Sequence, residues 1–222
     1  MIFTLRKPLR GVFRVLAGGI CRQKFLVFDS ISGINRNMSK TALIILAPGA
    51  EEMEFTISAD VLRRAGVRVI VAGLCGIEPV KCSRDVVVVP DVALEAHKDG
   101  KPDVIILPGG LGGSKAMCES TLVGELLRKQ ETEGRLIAAI CAAPTALAAH
   151  CIGLGKNLTS YPSVKSQLEE KYKYTEDKKV VQDGQLITSR GPGTAFDFAL
   201  KLAEVLVSAE KAAEVAKGML WE

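Results

Sequence analysis

Four short runs of almost continuous apolar residues alternate with stretches of helical periodicity in the part of the chain that begins near residue 40. The runs are TALIIL (41–46), VRVIVAG (67–73), DVIILP (103–108) and RLIAAI (135–140). Unbroken apolar runs of this length are typical of parallel strands that are covered on both faces. Between the first two runs, residues 51–66 place an apolar side chain at every fourth position, at Met53, Ile57 and Val61, and end on Gly66. This pattern predicts a helix and therefore a β-α-β unit.

Two further strands and a last helix extend the alternation. The strands are predicted at 85–90 and 185–189, and the polar run 171–179 between them is predicted to be a solvated loop. The apolar positions of the last helix are Phe196, Leu200, Ala203 and Val207. The whole pattern predicts an α/β protein, a flavodoxin-like three-layer sandwich with a mostly parallel central sheet, formed by residues 38–222 as one domain.

Residues 1–37 form a basic leader with an amphipathic pattern. Arg6, Arg10 and Arg14 recur at every fourth position beside a stripe of apolar side chains. A basic amphipathic segment with almost no acidic residues is typical of a mitochondrial transit peptide. The alternative is a disordered extension, because Met38 can itself start a complete domain. We therefore expect a protein of the cytoplasm and the mitochondrion, the second where the leader is translated and functional.

Charge and composition exclude several classes of function. The first 40 residues carry eight Lys or Arg against one Asp, a net charge of +7, so the remaining 182 residues carry −3 of the chain's total of +4. A mildly acidic domain lacks the clustered positive charge that binding to nucleic acids requires. The chain has no run of about 18 apolar residues, which excludes a membrane-spanning helix.

Metal and nucleotide sites are also disfavoured by the motifs. The two histidines and six cysteines form no zinc-ligand spacing. The glycines of PGGLGG (108–113) do not fall at the spacing of nucleotide-binding loops. We therefore expect neither a metal nor a cofactor.

Cys141 comes directly after the apolar run 135–140 and shortly before a segment that is predicted to be helical from Pro144. A cysteine at this position is either a small buried hydrophobe or a nucleophile held at the end of a strand. The strand-turn-helix order favours the nucleophile, because this arrangement projects a reactive side chain at the top of an α/β sheet. A helix N-terminus also stabilises negative charge. We therefore expect a lowered pKa for Cys141 and a sulfur that is mostly thiolate at neutral pH.

A carboxyl group is the predicted partner of this cysteine. Neither histidine follows a predicted strand, whereas Glu54 lies close to the carboxyl end of the first strand and has two apolar neighbours. Apolar surroundings raise the pKa of a carboxyl group, which allows it to donate a proton near neutral pH. Glu51 and Glu52, in contrast, are expected only to interact favourably with the helix dipole.

Six long motifs follow one another from residue 39 to about residue 217. They are ILAPGAEEMEF, VLRRAGVRVIVAGL, KCSRDVVVVPD, LPGGLGG, LIAAICAAPTALAAH and ITSRGPGTAFDFAL. In this order they resemble the DJ-1/PfpI superfamily. The resemblance agrees with the flavodoxin-like fold and implies that the chain forms a homodimer.

The resemblance also implies a role for each matching residue. Cys141 would be the redox-sensitive nucleophile, and Glu54 would share a proton with its thiol. The backbone N–H groups of Gly110 and Ala142 would form the oxyanion site, and Cys82 would be a secondary oxidisable cysteine.

One position departs from the family pattern. Where that pattern has a histidine, the stretch LTSYP (158–162) has Tyr161. A tyrosine can hydrogen-bond a substrate, but its ordinary pKa of about 10 makes it a poor base at neutral pH.

The resemblance implies two kinds of function, and the residues leave both open. The first is an oxidative-stress-protective enzyme that acts as a deglycase or glyoxalase on methylglyoxal and on its adducts with proteins or nucleotides. The second is a non-catalytic redox sensor and redox-dependent chaperone that binds client proteins when Cys141 is oxidised to sulfinate.

Overall fold

The computed structural model describes residues 39–222. The predicted leader, residues 1–37, lies outside these residues, so its interpretation as a transit peptide or an extension stays a prediction. The same holds for the expected location in the cytoplasm and the mitochondrion.

Eleven strands are formed by the described residues. They are β1 (Thr41–Leu46), β2 (Arg68–Gly73), β3 (Val80–Lys81), β4 (Val87–Val88), β5 (Val92–Ala93), β6 (Val104–Leu107), β7 (Leu136–Ile140), β8 (Asn157–Leu158), β9 (Lys173–Tyr174), β10 (Val180–Asp183) and β11 (Leu186–Ser189).

Six α-helices accompany the strands in residues 39–222. They are α1 (Glu52–Arg64), α2 (Leu111–Glu119), α3 (Thr121–Thr132), α4 (Pro144–Ala149), α5 (Ala195–Leu206) and α6 (Ala209–Gly218).

A seven-stranded sheet in the order β10-β11-β7-β6-β1-β2-β5 forms the centre of the fold. All neighbouring strands in it are parallel except β10 and β11. Helices flank the sheet in two packed groups, α1 with α5 and α6, and α2 with α3 and α4. The predicted flavodoxin-like α/β fold with a mostly parallel sheet is confirmed.

The centre of the sheet is fully buried because its strands are apolar on both faces. Ile44 of β1 pairs with Val71 of β2 on one side and with Ile106 of β6 on the other. All three side chains are buried. Burial on both faces explains why these strands read as continuous apolar runs rather than as alternating ones.

The predicted helix faces are only partly correct. Met53 is 52% exposed, whereas Phe55, Val61 and Leu62 are buried. In the last helix the predicted position Val207 lies beyond the helix end and is 45% exposed. An α-helix turns by 100° per residue, so a strict repeat of four residues drifts around it by about 40° at each step and leaves the buried face.

Two predicted segments differ from the structure. Within 85–90 only Val87–Val88 is a strand, and it pairs with Val80–Lys81 in a separate hairpin rather than in the main sheet. The run 171–179 is not simply a solvated loop, because its Lys173–Tyr174 pairs with β8. Tyr172 is buried, and its hydroxyl donates to the carbonyl of Ile152 at 2.7 Å.

Candidate active site

A cavity of about 470 Å³ opens where the carboxyl ends of the central strands meet. Its wall includes Glu51, Arg84, Gly110, Cys141, Ala142 and Tyr161. These residues come from loops that follow different strands, which is the usual position of a binding site in an open α/β sheet.

Cys141 directly follows β7 and adopts a left-handed backbone conformation, with φ of 64°. A non-glycine residue in that region costs about 1–3 kcal/mol and needs surrounding structure to hold it. Two backbone hydrogen bonds do so: the Cys141 N–H donates to Ser189 O at 3.0 Å, and its carbonyl accepts from the N–H of Tyr161 at 2.8 Å. The predicted strand-turn-helix geometry is therefore present, with α4 beginning at Pro144.

Two backbone N–H groups face the sulfur of Cys141. They belong to Gly110 and Ala142, the pair expected to form the oxyanion site, and both favour negative charge on the sulfur. Gly110 has φ of 83°, and a Cβ atom there would lie 2.3 Å from the carbonyl oxygen of Gly49. Only glycine fits this close approach of two loops, so the position of the Gly110 N–H depends on the absence of a side chain.

Glu54 lies in the first turn of α1 and is completely buried. Its Oε2 accepts a hydrogen bond from the N–H of Gly109 at 2.7 Å. Its Oε1 is buried without a hydrogen-bond partner among the described residues. Burial raises the pKa of this carboxyl group to about 7, as the apolar neighbours of Glu54 predict.

Glu54 and Cys141 are neighbours on the two sides of Gly109. A Cβ atom on Gly109 would lie 2.5 Å from the Cβ of Cys141 and 2.7 Å from Oε2 of Glu54. Burial, and then the negative charge of Glu54, raise the pKa of the Cys141 thiol to about 12. The pair therefore loses one proton near pH 7 and keeps the second well into the alkaline range, and the single remaining proton belongs to the pair.

The expected lowered pKa of Cys141 is wrong. Helix α4 has only six residues and begins three residues after Cys141. The field of a helix end falls off within about one turn, so α4 offers the sulfur little beyond the two N–H groups. Burial and the adjacent carboxylate outweigh this contribution.

Tyr161 and Cys82 lie at different depths. Tyr161 lines the cavity and is 45% exposed, and its ring packs against Gly191. Cys82 is buried, and the pKa of its thiol is raised by burial and by the charges of Glu52 and Glu51. Its role as a secondary oxidisable cysteine stays a prediction.

Glu52 forms hydrogen bonds in addition to the expected favourable interaction with the helix dipole. Its Oε2 accepts from the hydroxyl of Ser83 at 2.8 Å, and its Oε1 accepts from the N–H of Arg84 at 2.7 Å. These bonds attach the loop after β3 to the start of α1 and bring Arg84 to the cavity wall. The sequence gives only a weak signal for this contact, because Glu52 and Ser83 are 31 residues apart.

The other glutamate at the start of the helix, Glu51, caps α1. It precedes the first helical residue, and its Oε2 accepts from the backbone N–H of Glu54 at 2.8 Å. The cap satisfies an N–H group that the helix itself leaves free. It also holds the backbone of Glu54 beside the cavity.

Within residues 39–222, no helix combines the length and the apolar character that crossing a membrane requires. No group of three or more His, Cys, Asp or Glu side chains in the same range is arranged to hold a metal ion.

Most of the chain matches the sequence model of a known protein family. The sequence model of the DJ-1/PfpI family matches residues 40–205. The chain belongs to the DJ-1/PfpI family. The match contains Glu54, Gly110, Cys141 and Tyr161.

Members of the DJ-1/PfpI family resemble this chain over nearly all of its described part. It is 67% identical over 183 residues to Protein dj-1beta of Drosophila melanogaster, an alignment that covers 82% of this chain and 98% of that protein. The crystal structure of Drosophila melanogaster DJ-1beta superposes with a TM-score of 0.83 at 66% identity and covers 83% of this chain and 100% of that one. A relative named glutathione-independent glyoxalase DJR-1.2, from Caenorhabditis elegans, is 49% identical over 174 residues, which are 78% of this chain and 91% of that protein.

The contact across Gly109 predicts that Gly109→Ala destabilises the protein. The added methyl group would overlap the Cβ of Cys141 and the carboxyl group of Glu54. We expect the free energy of unfolding in urea to fall by about 1–3 kcal/mol. Gly193→Ala is the matched control, because a Cβ atom there meets nothing within 4 Å. Equal stability of the two variants would show that the site has room at Gly109.

Proposed function

We propose that this chain is a cysteine-dependent, cofactor-independent enzyme of the glyoxalase or deglycase type. Its substrates would be methylglyoxal and the early adducts of methylglyoxal with amines and thiols of proteins or nucleotides. The observation that carries the proposal is the Cys141 thiol held between a buried carboxyl group and two N–H donors. The glyoxalase name of the relative from Caenorhabditis elegans also supports it.

The first step of the proposed reaction uses the proton shared by the pair. Cys141 sulfur adds to the aldehyde carbon, a C–S bond forms, and the C=O π bond opens to an alkoxide. Ionised Glu54 takes the thiol proton and passes it to this oxygen, which gives a hemithioacetal. The N–H groups of Gly110 and Ala142 stabilise the alkoxide while it carries charge.

The second step is an internal oxidation and reduction of the substrate. Glu54 removes the proton from the former aldehyde carbon and returns a proton to the neighbouring carbon. The hydroxyl proton of the hemithioacetal moves to the ketone oxygen, so the first carbon becomes a thioester carbonyl and the former ketone becomes a hydroxyl-bearing carbon. Oxidation of the first carbon balances reduction of the second, so no external electron acceptor is needed. Water then cleaves the thioester, which releases lactate and regenerates the Cys141 thiol. An adduct would enter by the same route after release of its amine or thiol.

Lactate formation from methylglyoxal is the test of this proposal. Cys141→Ser should abolish it, because the hydroxyl group of serine is far less acidic than a thiol. Glu54→Gln should lower kcat/KM by roughly 100- to 10,000-fold, since glutamine cannot carry the proton. Tyr161→Phe, the control, should change kcat/KM only a few-fold, because Tyr161 has no proton-transfer role in this scheme. Turnover retained by Cys141→Ser would overturn the proposal.

The same assay across pH should show the titration of Glu54. Only the ionised carboxylate can accept the thiol proton, and burial raises the pKa of Glu54 to about 7. We therefore expect kcat/KM to rise with pH and to reach half of its maximum near pH 7. A rate that does not change between about pH 5.5 and about pH 8.5 would exclude Glu54 as the base.

A second candidate function, a redox sensor, is favoured by the partnerless Oε1 of Glu54. Peroxide would transfer an oxygen atom to Cys141 sulfur with cleavage of its O–O bond and loss of water, and a second peroxide would give sulfinate. A protonated Glu54 could then donate a hydrogen bond to one sulfinate oxygen. The N–H groups of Gly110 and Ala142 could bind the other oxygen.

Oxidation of two variants tests the sensor. Glu54→Gln keeps a hydrogen-bond donor at the same reach, whereas Glu54→Asp shortens the side chain by one methylene group. We expect peroxide-treated Glu54→Gln to stop at two added oxygens on Cys141, as the unmodified protein does, and Glu54→Asp to proceed to three. Mass spectrometry of the peptide that contains Cys141 measures this. Equal over-oxidation in both variants would rule out the proposed hydrogen bond.

The other properties that the family resemblance implies also belong to this proposal. The homodimer, the binding of client proteins and the protective role under oxidative stress stay predictions.

A further inference from the structure

A second cavity lies behind the loop that carries Cys141. It has a volume of about 300 Å³ and lies between α2 and α4, and we call it the α2–α4 cavity. Leu111 and Ala142 line both this cavity and the proposed active-site cavity. Leu111 directly follows Gly110, and Ala142 directly follows Cys141. An occupant of the α2–α4 cavity would therefore press on both sides of the proposed oxyanion site.

Cys118 is a free thiol in the wall of the α2–α4 cavity. It lies in the last turn of α2 and is partly exposed. Its Sγ lies 3.5 Å from the hydroxyl oxygen of Thr145 and donates to it. The reaction proposed above makes no use of this thiol.

Ser114 gives an independent indication that the cavity binds a polar group. Its side chain lines the cavity and is only 3% exposed. Its hydroxyl oxygen has no hydrogen-bond partner among residues 39–222. A buried hydroxyl without a partner is unfavourable, and a ligand with a polar atom in the cavity would satisfy it. Lys115 and Gln167, also in the wall, offer further donors.

Thr145 connects Cys118 to the loop of Cys141. Its hydroxyl donates to the carbonyl of Ala142 at 2.7 Å while it accepts from Cys118. The N–H of Ala142 is one of the two groups that face Cys141 sulfur. A change at Cys118 therefore acts on the oxyanion site through one side chain.

We propose that Cys118 is a regulatory thiol that forms a mixed disulfide with a low-molecular-weight disulfide, whose retained half occupies the α2–α4 cavity and lowers the reactivity of Cys141. In this exchange Cys118 sulfur attacks one sulfur of the small disulfide. A new S–S bond forms, the original one breaks, and the other half leaves as a thiol that takes up the proton lost by Cys118. The oxidant is the small disulfide itself, and a reducing thiol reverses the step.

The mixed disulfide changes the cavity in two ways. Cys118 loses the S–H group that donates to Thr145, and the retained half presses against Leu111 and Ala142. Polar groups of the retained half can reach the free hydroxyl of Ser114. The effect on catalysis rests on the function proposed above, whereas formation of the disulfide does not.

Treatment of the full chain with glutathione disulfide tests the modification. We expect peptide mass spectrometry to show the adduct on Cys118 before Cys75 and Cys151, although both of these are more exposed. Ser114→Val should slow the reaction at Cys118 several-fold and leave the rates at Cys75 and Cys151 unchanged. Modification that simply follows exposure, or a Ser114→Val variant that reacts at the unaltered rate, would overturn the cavity as a binding site.

Alkylation of Cys141 by iodoacetamide tests the coupling without reference to lactate. Glutathione disulfide should slow this alkylation several-fold in the protein without substitutions, and a reducing thiol should restore the original rate. Cys118→Ser, which keeps a donor for Thr145, should alkylate at the basal rate with or without the disulfide. Equal slowing in Cys118→Ser would overturn the regulatory role. If lactate were never formed but these results held, only the proposed enzymatic function would fail.

Discussion

The contact between the Cys141 thiol and the buried Glu54 carboxyl group across Gly109 is the constraint on which the site depends. The position of each group is energetically unfavourable. The thiol belongs to a residue in the left-handed backbone conformation, and the carboxyl group has no access to water. Together they hold one proton between about pH 7 and about pH 12. Because Gly109 has no side chain, the two groups can approach each other although their residues are 87 positions apart in the chain.

The sheet supplies the rigidity that this contact needs. β1, β6 and β7 are adjacent and parallel, so the segments that follow them meet at one edge of the sheet and carry Glu54, Gly110 and Cys141. The Glu54 carboxyl group lowers stability as pH rises from about 4.5 to about 7, because burial raises its pKa from 4.5 to about 7. The folded state binds this proton more tightly than the unfolded state, so the free energy of unfolding declines as pH rises between these two pKa values. The buried apolar strands offset this loss.

The sequence predicts the central strands and the pairing of Cys141 with Glu54, because each of these residues follows an apolar strand in the linear pattern. It does not predict the direction in which the pKa of Cys141 shifts, because that shift depends on burial and on a carboxylate that is distant in sequence. The attachment of Ser83 to Glu52 and the exposure of Met53 were missed for the same reason, since both are set by tertiary packing.

The most direct test of the shared proton is a titration of Cys141 by its ultraviolet thiolate absorbance, with and without the charge of Glu54. The signal of Cys141 is the difference between each protein and its Cys141→Ser counterpart. If the carboxylate holds the thiol in its protonated form, Glu54→Gln should lower the pKa of Cys141 by about one unit or more. The same variant would then have more thiolate and yet less turnover. An unchanged or higher pKa in Glu54→Gln would contradict the account.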